Sequence, residues 1–154
     1  MSKKRYAAAA RFYADAFAAE SNLIGDQPSD HRYNAACASA LAGSGQGEDA
    51  KSLDDKERAS LRAQARDWLR ADLAAWRRLL EKEPAKARAD LAPQMQHWLN
   101  DPDFAGVRGV EALGRLPAAE RPDWQKLWQE VEELRQRAAE PAGPAKVEKK
   151  ATPE

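Results

Sequence analysis

Few side chains in this 154-residue sequence can do covalent or metal chemistry: one cysteine, Cys37, and two histidines, His31 and His97. A thiol nucleophile needs a base in direct hydrogen-bond contact and a third group that orients the base. His31 and Cys37 stand six positions apart, about 240 degrees around a helix, so their side chains diverge. His97 lies far along the chain, beside Trp98. Cys37 therefore reads as a small buried packing residue. Glu130, Glu132 and Glu133, with Arg135 and Arg137, read as a solvated helix face with local ion pairs, because no histidine stands at a matching spacing. No catalytic residue, cofactor or metal ligand set is expected.

The elements that must position any site are helical. Hydrophobic residues make up 43% of the chain and charged residues 32%, rich in Ala, Leu, Glu, Arg and Lys, which favours one soluble all-α domain. Lys plus Arg equals Asp plus Glu, 25 each, so no cationic excess is available to offset phosphates or an anionic lipid surface. Neither nucleic acid nor a membrane is an expected partner. A single cysteine excludes an intramolecular disulfide, and the apolar run from Ala7 to Ala10 is far too short for a signal-peptide core. The expected location is the cytoplasm.

Tyr6, Ala10, Tyr13 and Phe17, with Ala9, Phe12 and Ala16 alongside, draw an apolar stripe down a first helix over residues 4–19. Gly25 and Pro28 mark a turn over residues 21–29, after which Asp30 can cap a small-residue helix over 31–43. Gly43, Gly45 and Gly47 predict a flexible connection as far as Ser52. Asp54 and Glu57 then have capping-box spacing for a long helix over 55–82, with Arg62, Arg66, Arg70, Arg77 and Arg78 lying mainly off its apolar stripe.

Pro84 opens a fourth helix, which Pro93 should bend or delay. Asp101-Pro102 starts a segment that Gly106 and Gly109 keep short, and residues 110–116 add one more turn. The last helix begins at Pro117 or Pro122 and ends near Ala139. All five tryptophans, Trp68, Trp76, Trp98, Trp124 and Trp128, sit at core spacing. A domain over 1–140 is thus followed by a Pro-, Lys- and Glu-rich tail over 141–154 that is expected to be disordered.

The Tyr33-Asn34 pair, followed by small residues and Gly43, resembles the first helix of a tetratricopeptide repeat (TPR), and the Tyr6 to Phe17 stripe resembles the second helix of a preceding one. More closely, HRYNAACASALAG, LDDKERASLRAQARDWLRADLAAW, DPDFAGVRGVEAL and LPAAERPDWQKLWQEVEEL resemble a TPR-like region at the C-terminal end of bacterial eukaryotic-like serine/threonine protein kinases. No glycine-rich phosphate loop, His-Arg-Asp loop or Asp-Phe-Gly accompanies them. The enlarged glycine turn and the long helix after it depart from a regular array and suggest a terminal, capped arrangement.

The resemblance implies TPR-like helical hairpins, about five principal helices in a short capped solenoid or bundle, acting as a non-catalytic protein-interaction or scaffolding module. It also implies a role for Asn34, the position at which peptide-binding repeats hold a ligand's backbone or carboxylate. Tyr33, Arg5 and Arg11 are its candidate neighbours, and the expected partner is a protein or peptide of unknown identity. Two alternatives belong to other classes: a structural subunit or self-associating homo-oligomer, and a small helical ligand-binding protein or enzyme.

Overall fold

The computed structural model describes residues 4–20, 25 and 27–140. The expected tail and most of the first turn lie outside the described residues. Among those described, the regular structure is entirely helical: α1 (Tyr6–Ala19), α2 (Asp30–Gly43), α3 (Asp55–Lys82), α4 (Pro84–Asn100), α5 (Val110–Gly114) and α6 (Arg121–Ala139), with 3-10 helices at Glu48–Ser52 and Pro102–Val107. No described helix is long and apolar enough to cross a membrane.

Helix α2 lies at the centre. It is flanked by α1, α3 and both 3-10 helices, and ten of its fourteen residues are buried. Only small side chains allow so many neighbours to approach one helix, and Ala35, Ala36, Ala40 and Ala42 are fully covered. Ser39, also fully buried, donates its hydroxyl to the Leu61 carbonyl of α3 at 2.6 Å, so the one hydroxyl in this Ala-rich face is satisfied locally. Beyond the reach of α2, α3 continues toward α4 with Leu73, Trp76 and Leu80. Twenty-eight residues of α3 span about 42 Å, enough to back α2 with one half and α4 with the other. Helix α4 packs against α6 to close the bundle, and Trp98 and Trp124 there are fully buried.

Several local expectations shift for identifiable reasons. Ser29, not Asp30, caps α2: its extended backbone lets the side chain accept from Arg32 N, and Asp30 becomes the first helical residue. The Asp54–Glu57 capping box forms in both directions, at 2.7 and 3.1 Å. Pro93 neither delays nor ends α4. It is exposed, as is Ala89 one turn earlier, so the carbonyl that loses its donor faces solvent. Phe12 belongs to the outer surface, 70% exposed, and Ala7 takes the inner position instead. The last helix starts at Arg121.

The glycine connection is tied down. Asp49 accepts from the Ala7 and Ala8 amides at 3.2 and 2.9 Å, capping α1, whose own N-cap residue Arg5 provides no side-chain cap. Gly47, at φ 95°, lies where a Cβ would stand 2.8 Å from the Tyr6 ring and 2.9 Å from the Lys4 carbonyl. Both the conformation and the space require glycine.

The arginine row of α3 is the largest departure. Arg62 is buried: Nε and Nη2 each donate to Glu120 at 2.7 Å, and Nη1 donates to the Gly43 carbonyl at 2.7 Å. Arg66 stacks over Trp124 at 5.5 Å and lies 3.8 Å from Asp123. Arg77 pairs with Glu130 at 2.8 Å, so Glu130 bridges helices, whereas Glu132 keeps the local pair with Arg135 at 2.6 Å. An ionic seam thus joins α3 to α6, and it draws in Glu130, which the sequence places on a solvated helix face.

Two tests follow from this packing. A Cβ on Gly43 would stand 2.6 Å from Arg62 Cγ and 3.0 Å from the Arg58 carbonyl, so Gly43→Ala should lower unfolding free energy by about 1–3 kcal/mol, measured by urea denaturation. Asp72 accepts from Arg32 at 2.8 Å and from the Ser29 amide at 3.0 Å. Burial nonetheless pushes its carboxyl up to about 6 against these opposing contacts. The folded state then holds the proton more tightly than the unfolded chain, so this contribution is complete below about pH 4 and lost as pH rises toward 6. Stability relative to Asp72→Asn should fall across that window; a pH-independent difference would contradict it.

Candidate functional site

Polar groups converge where α2 meets the end of α4. Tyr33 and Cys37 are four apart and share one face of α2. Opposite them, Asp101 ends α4 and caps the Pro102–Val107 helix, its Oδ1 accepting from the Asp103 amide at 2.9 Å. Tyr33 donates its hydroxyl to Asp101 Oδ2 at 2.5 Å, and Cys37 Sγ lies 3.9 Å from the same oxygen. His97 Nε2, one helical turn before Asp101, stands 3.4 Å from it.

The ring of Tyr33 is fixed by stacking on Trp98 at 5.5 Å and 15° and by edge contact with Phe104 at 5.8 Å. Arg108 donates to the Trp98 and Asp101 carbonyls at 3.1 and 2.9 Å and lies over Trp128 at 5.6 Å. It thus tethers the end of α4 to the segment before α5.

Burial chiefly, then the neighbouring Asp101, pushes the Tyr33 phenol and the Cys37 thiol far above their ordinary values. Both stay protonated at neutral pH. Tyr33 is a hydrogen-bond donor, and Cys37 lacks the thiolate that nucleophilic catalysis requires. Burial and the charge of Asp101 likewise raise the Asp103 carboxyl.

Asp103 also forms part of the wall of a cleft of about 810 Å³ between the end of α2, the start of α3, the Pro102–Val107 helix and the approach to α6. Four arginines, Arg58, Arg62, Arg115 and Arg121, line it, with Asp55 and Asp103 as the lining carboxylates. Arg62 and Arg115 have carboxylate partners, Glu120 and Glu111. Arg58 and Arg121 are held differently. Arg58 Nη2 donates to the Ala50 carbonyl at 3.0 Å, and Arg121 donates to the Leu116 and Gly114 carbonyls at 3.0 and 3.1 Å. Neither has an ion-pair partner among the described residues, and Arg58 Nε and Ser44 Oγ, also at this cleft, are buried without a hydrogen-bond partner there.

The candidates read from the sequence are not gathered into one site. Asn34 is exposed, but Tyr33 is buried and committed to Asp101. Arg5 lies at the start of α1, beside the chain that follows the far end of α2, where Glu48 N donates to the Lys4 carbonyl at 2.7 Å. Arg11 lines a separate groove of about 250 Å³ between α1 and α3. His31 is exposed and Cys37 buried, on different faces as expected. Sequence reasoning missed the meeting of His97 and Asp101 with Tyr33 and Cys37, as well as the cleft arginines. The Asp101-Pro102 cap was the one available signal, because a cap places a carboxylate at a fixed point between two elements.

Comparison with protein-family models, with curated proteins and with solved structures returned no match. The geometry of the cluster can be tested by itself. Tyr33→Phe deprives the buried Asp101 carboxylate of its phenolic donor and should cost about 1.5–3 kcal/mol of stability, read from denaturant midpoints at constant slope. A loss below a few tenths would show that this bond contributes little.

Proposed function

We propose that this chain is a non-catalytic, TPR-like interaction module, a short capped set of helical hairpins, that binds an acidic segment of a protein partner in the arginine-lined cleft. The supporting observation is the state of Arg58 and Arg121. Backbone carbonyls fix both guanidinium groups, yet neither has a carboxylate partner among the described residues. Pre-positioned guanidinium groups bind carboxylates with little further ordering, and their planar forks favour two-point contacts. A volume of about 810 Å³ admits several side chains, in the range typical of ligand clefts.

The hairpin reading rests on the succession of α1, α2 and α3, each packed on the next, with small α2 side chains at the shared interfaces. In place of a regular array, the second half of α3 with α4 and α6 acts as a cap. The protonated thiol and phenol support a non-catalytic role. Helix α1 carries the 70%-exposed Phe12, which favours self-association as a second reading; light scattering should then show a concentration-dependent dimer that Phe12→Ala abolishes.

Binding is measured by fluorescence anisotropy with labelled twelve-residue peptides rich in Glu and Asp, against counterparts carrying Gln and Asn. The acidic set should bind and the amide set should not. Arg58→Glu/Arg121→Glu should weaken acidic-peptide binding at least about tenfold, while Asn34→Ala leaves it within about twofold. Equal binding of both sets, or loss only in Asn34→Ala, would reject the cleft as the site.

A further inference from the structure

We propose that Cys37, His97, Asp101 and Asp103 form a binding site for a divalent transition-metal cation of the Zn²⁺ type. The sulfur of Cys37 and one carboxylate oxygen from each of Asp101 and Asp103 lie within 4.8 Å of one another. His97 adds an imidazole nitrogen 3.4 Å from Asp101 Oδ2. This is more than an acidic cluster, since a thiol, an imidazole and two carboxylates arrive from α2, the last turn of α4 and the Pro102–Val107 helix with its cap.

Donors around a tetrahedral Zn²⁺ stand about 3.5 Å apart, given bonds of about 2.0–2.3 Å. The three donors of Cys37, Asp101 and Asp103, within 4.8 Å of one another, need shifts of about 1 Å to reach that geometry. His97, outside that trio but beside Asp101 and with its side chain 59% exposed, must turn inward to complete it. The donor set also selects the ion. Sulfur and nitrogen beside two oxygens suit Zn²⁺ or Co²⁺, whereas Ca²⁺ and Mg²⁺ take six or more oxygen ligands.

The surroundings already hold one ligand in place. Asp101 receives Tyr33 at Oδ2 and the Asp103 amide at Oδ1, the outer hydrogen bonding that orients a ligating carboxylate. Arg108 binds the Asp101 carbonyl, leaving the carboxylate available to a cation. Cys37 is more than nine-tenths buried, and its thiol reaches Asp101 only at the long distance of 3.9 Å. On binding, the Cys37 S–H bond breaks as the sulfur–metal bond forms, the proton passes to solvent and no oxidation state changes.

The metal site rests on observations separate from those for the peptide cleft, but Asp103 borders both. The test uses untagged full-length protein under a non-chelating reductant. Titration with Zn²⁺ in a calorimeter should give one ion per chain at micromolar affinity or tighter. Loading with Co²⁺ should give a thiolate-to-cobalt charge-transfer absorption that Cys37→Ser abolishes, and Asp103→Asn and His97→Ala should each weaken Zn²⁺ binding at least about tenfold. Absence of binding, or affinity unchanged in both Asp103→Asn and His97→Ala, would overturn the site. Should Cys37→Ser fail to fold, His97→Ala and Asp103→Asn keep the test intact: the His97 side chain is 59% exposed, and its removal costs a ring contact with Tyr33 at 5.7 Å but no member of the buried apolar cluster.

Discussion

Everything in this fold is arranged around how closely other helices approach α2. A helix covered on nearly all sides needs side chains that add almost no radius, and from Ala35 to Gly43 the sequence provides Ala, Cys, Ser, Leu and Gly. The restriction is tightest at Gly43, whose missing Cβ makes room for Arg62 and the Arg58 backbone. Such a helix contributes little apolar area of its own. Stability must come from the tryptophans and leucines of α3, α4 and α6, each large buried side chain contributing about 1.5–3 kcal/mol. The Ala-rich helix supplies proximity and the Trp-rich helices supply burial.

Proximity has an electrostatic consequence. With α2 drawn close to α3, Arg62 cannot reach solvent and is instead bound by Glu120 and the Gly43 carbonyl. Breaking one partner of such a buried pair is far more costly than the pair is stabilising, so the seam fixes the register of α6 on α3. The same crowding at the other end of α2 buries Arg32 against Asp72. Equal numbers of positive and negative side chains overall therefore hide an uneven distribution. Arg62, Arg66, Arg70 and Arg77 of α3 each face a carboxylate of α6 or its N-cap, whereas Arg58 and Arg121 are held by backbone carbonyls.

Helix positions were legible because periodicity and caps are local properties. The Asp54–Glu57 box, Pro84 and the Asp101-Pro102 step each fix a boundary within a few residues of themselves, and the structure places those boundaries there. Side chains that read as surface were less legible. A charged residue at the margin of an apolar stripe is exposed or buried according to what crosses it, and α6, which crosses Arg62, is 58 residues away. The polar cluster was hidden for the same reason. Tyr33 and Asp101 are separated by 68 residues, and nothing in either segment encodes the other. The resemblance to TPR hairpins directed attention to Asn34, one residue and about 100 degrees around the helix from the face where α2 carries its buried polar groups.

That rotation sets apart two uses of one helix. The α2 face bearing Tyr33 and Cys37 is where an alanine helix tolerates polarity, and it does so because Asp101 and Trp98 arrive together at the end of α4. A phenol alone at this position would be an unsatisfied buried donor, and a carboxylate alone an unpaired buried charge. Each group makes the other tolerable. Once paired, they hold the Pro102–Val107 helix against α2, and that helix in turn forms one wall of the arginine cleft. The buried polar pair therefore helps to hold one wall of the cleft in place. A ligand bound at Cys37 and Asp101 would act on the same wall.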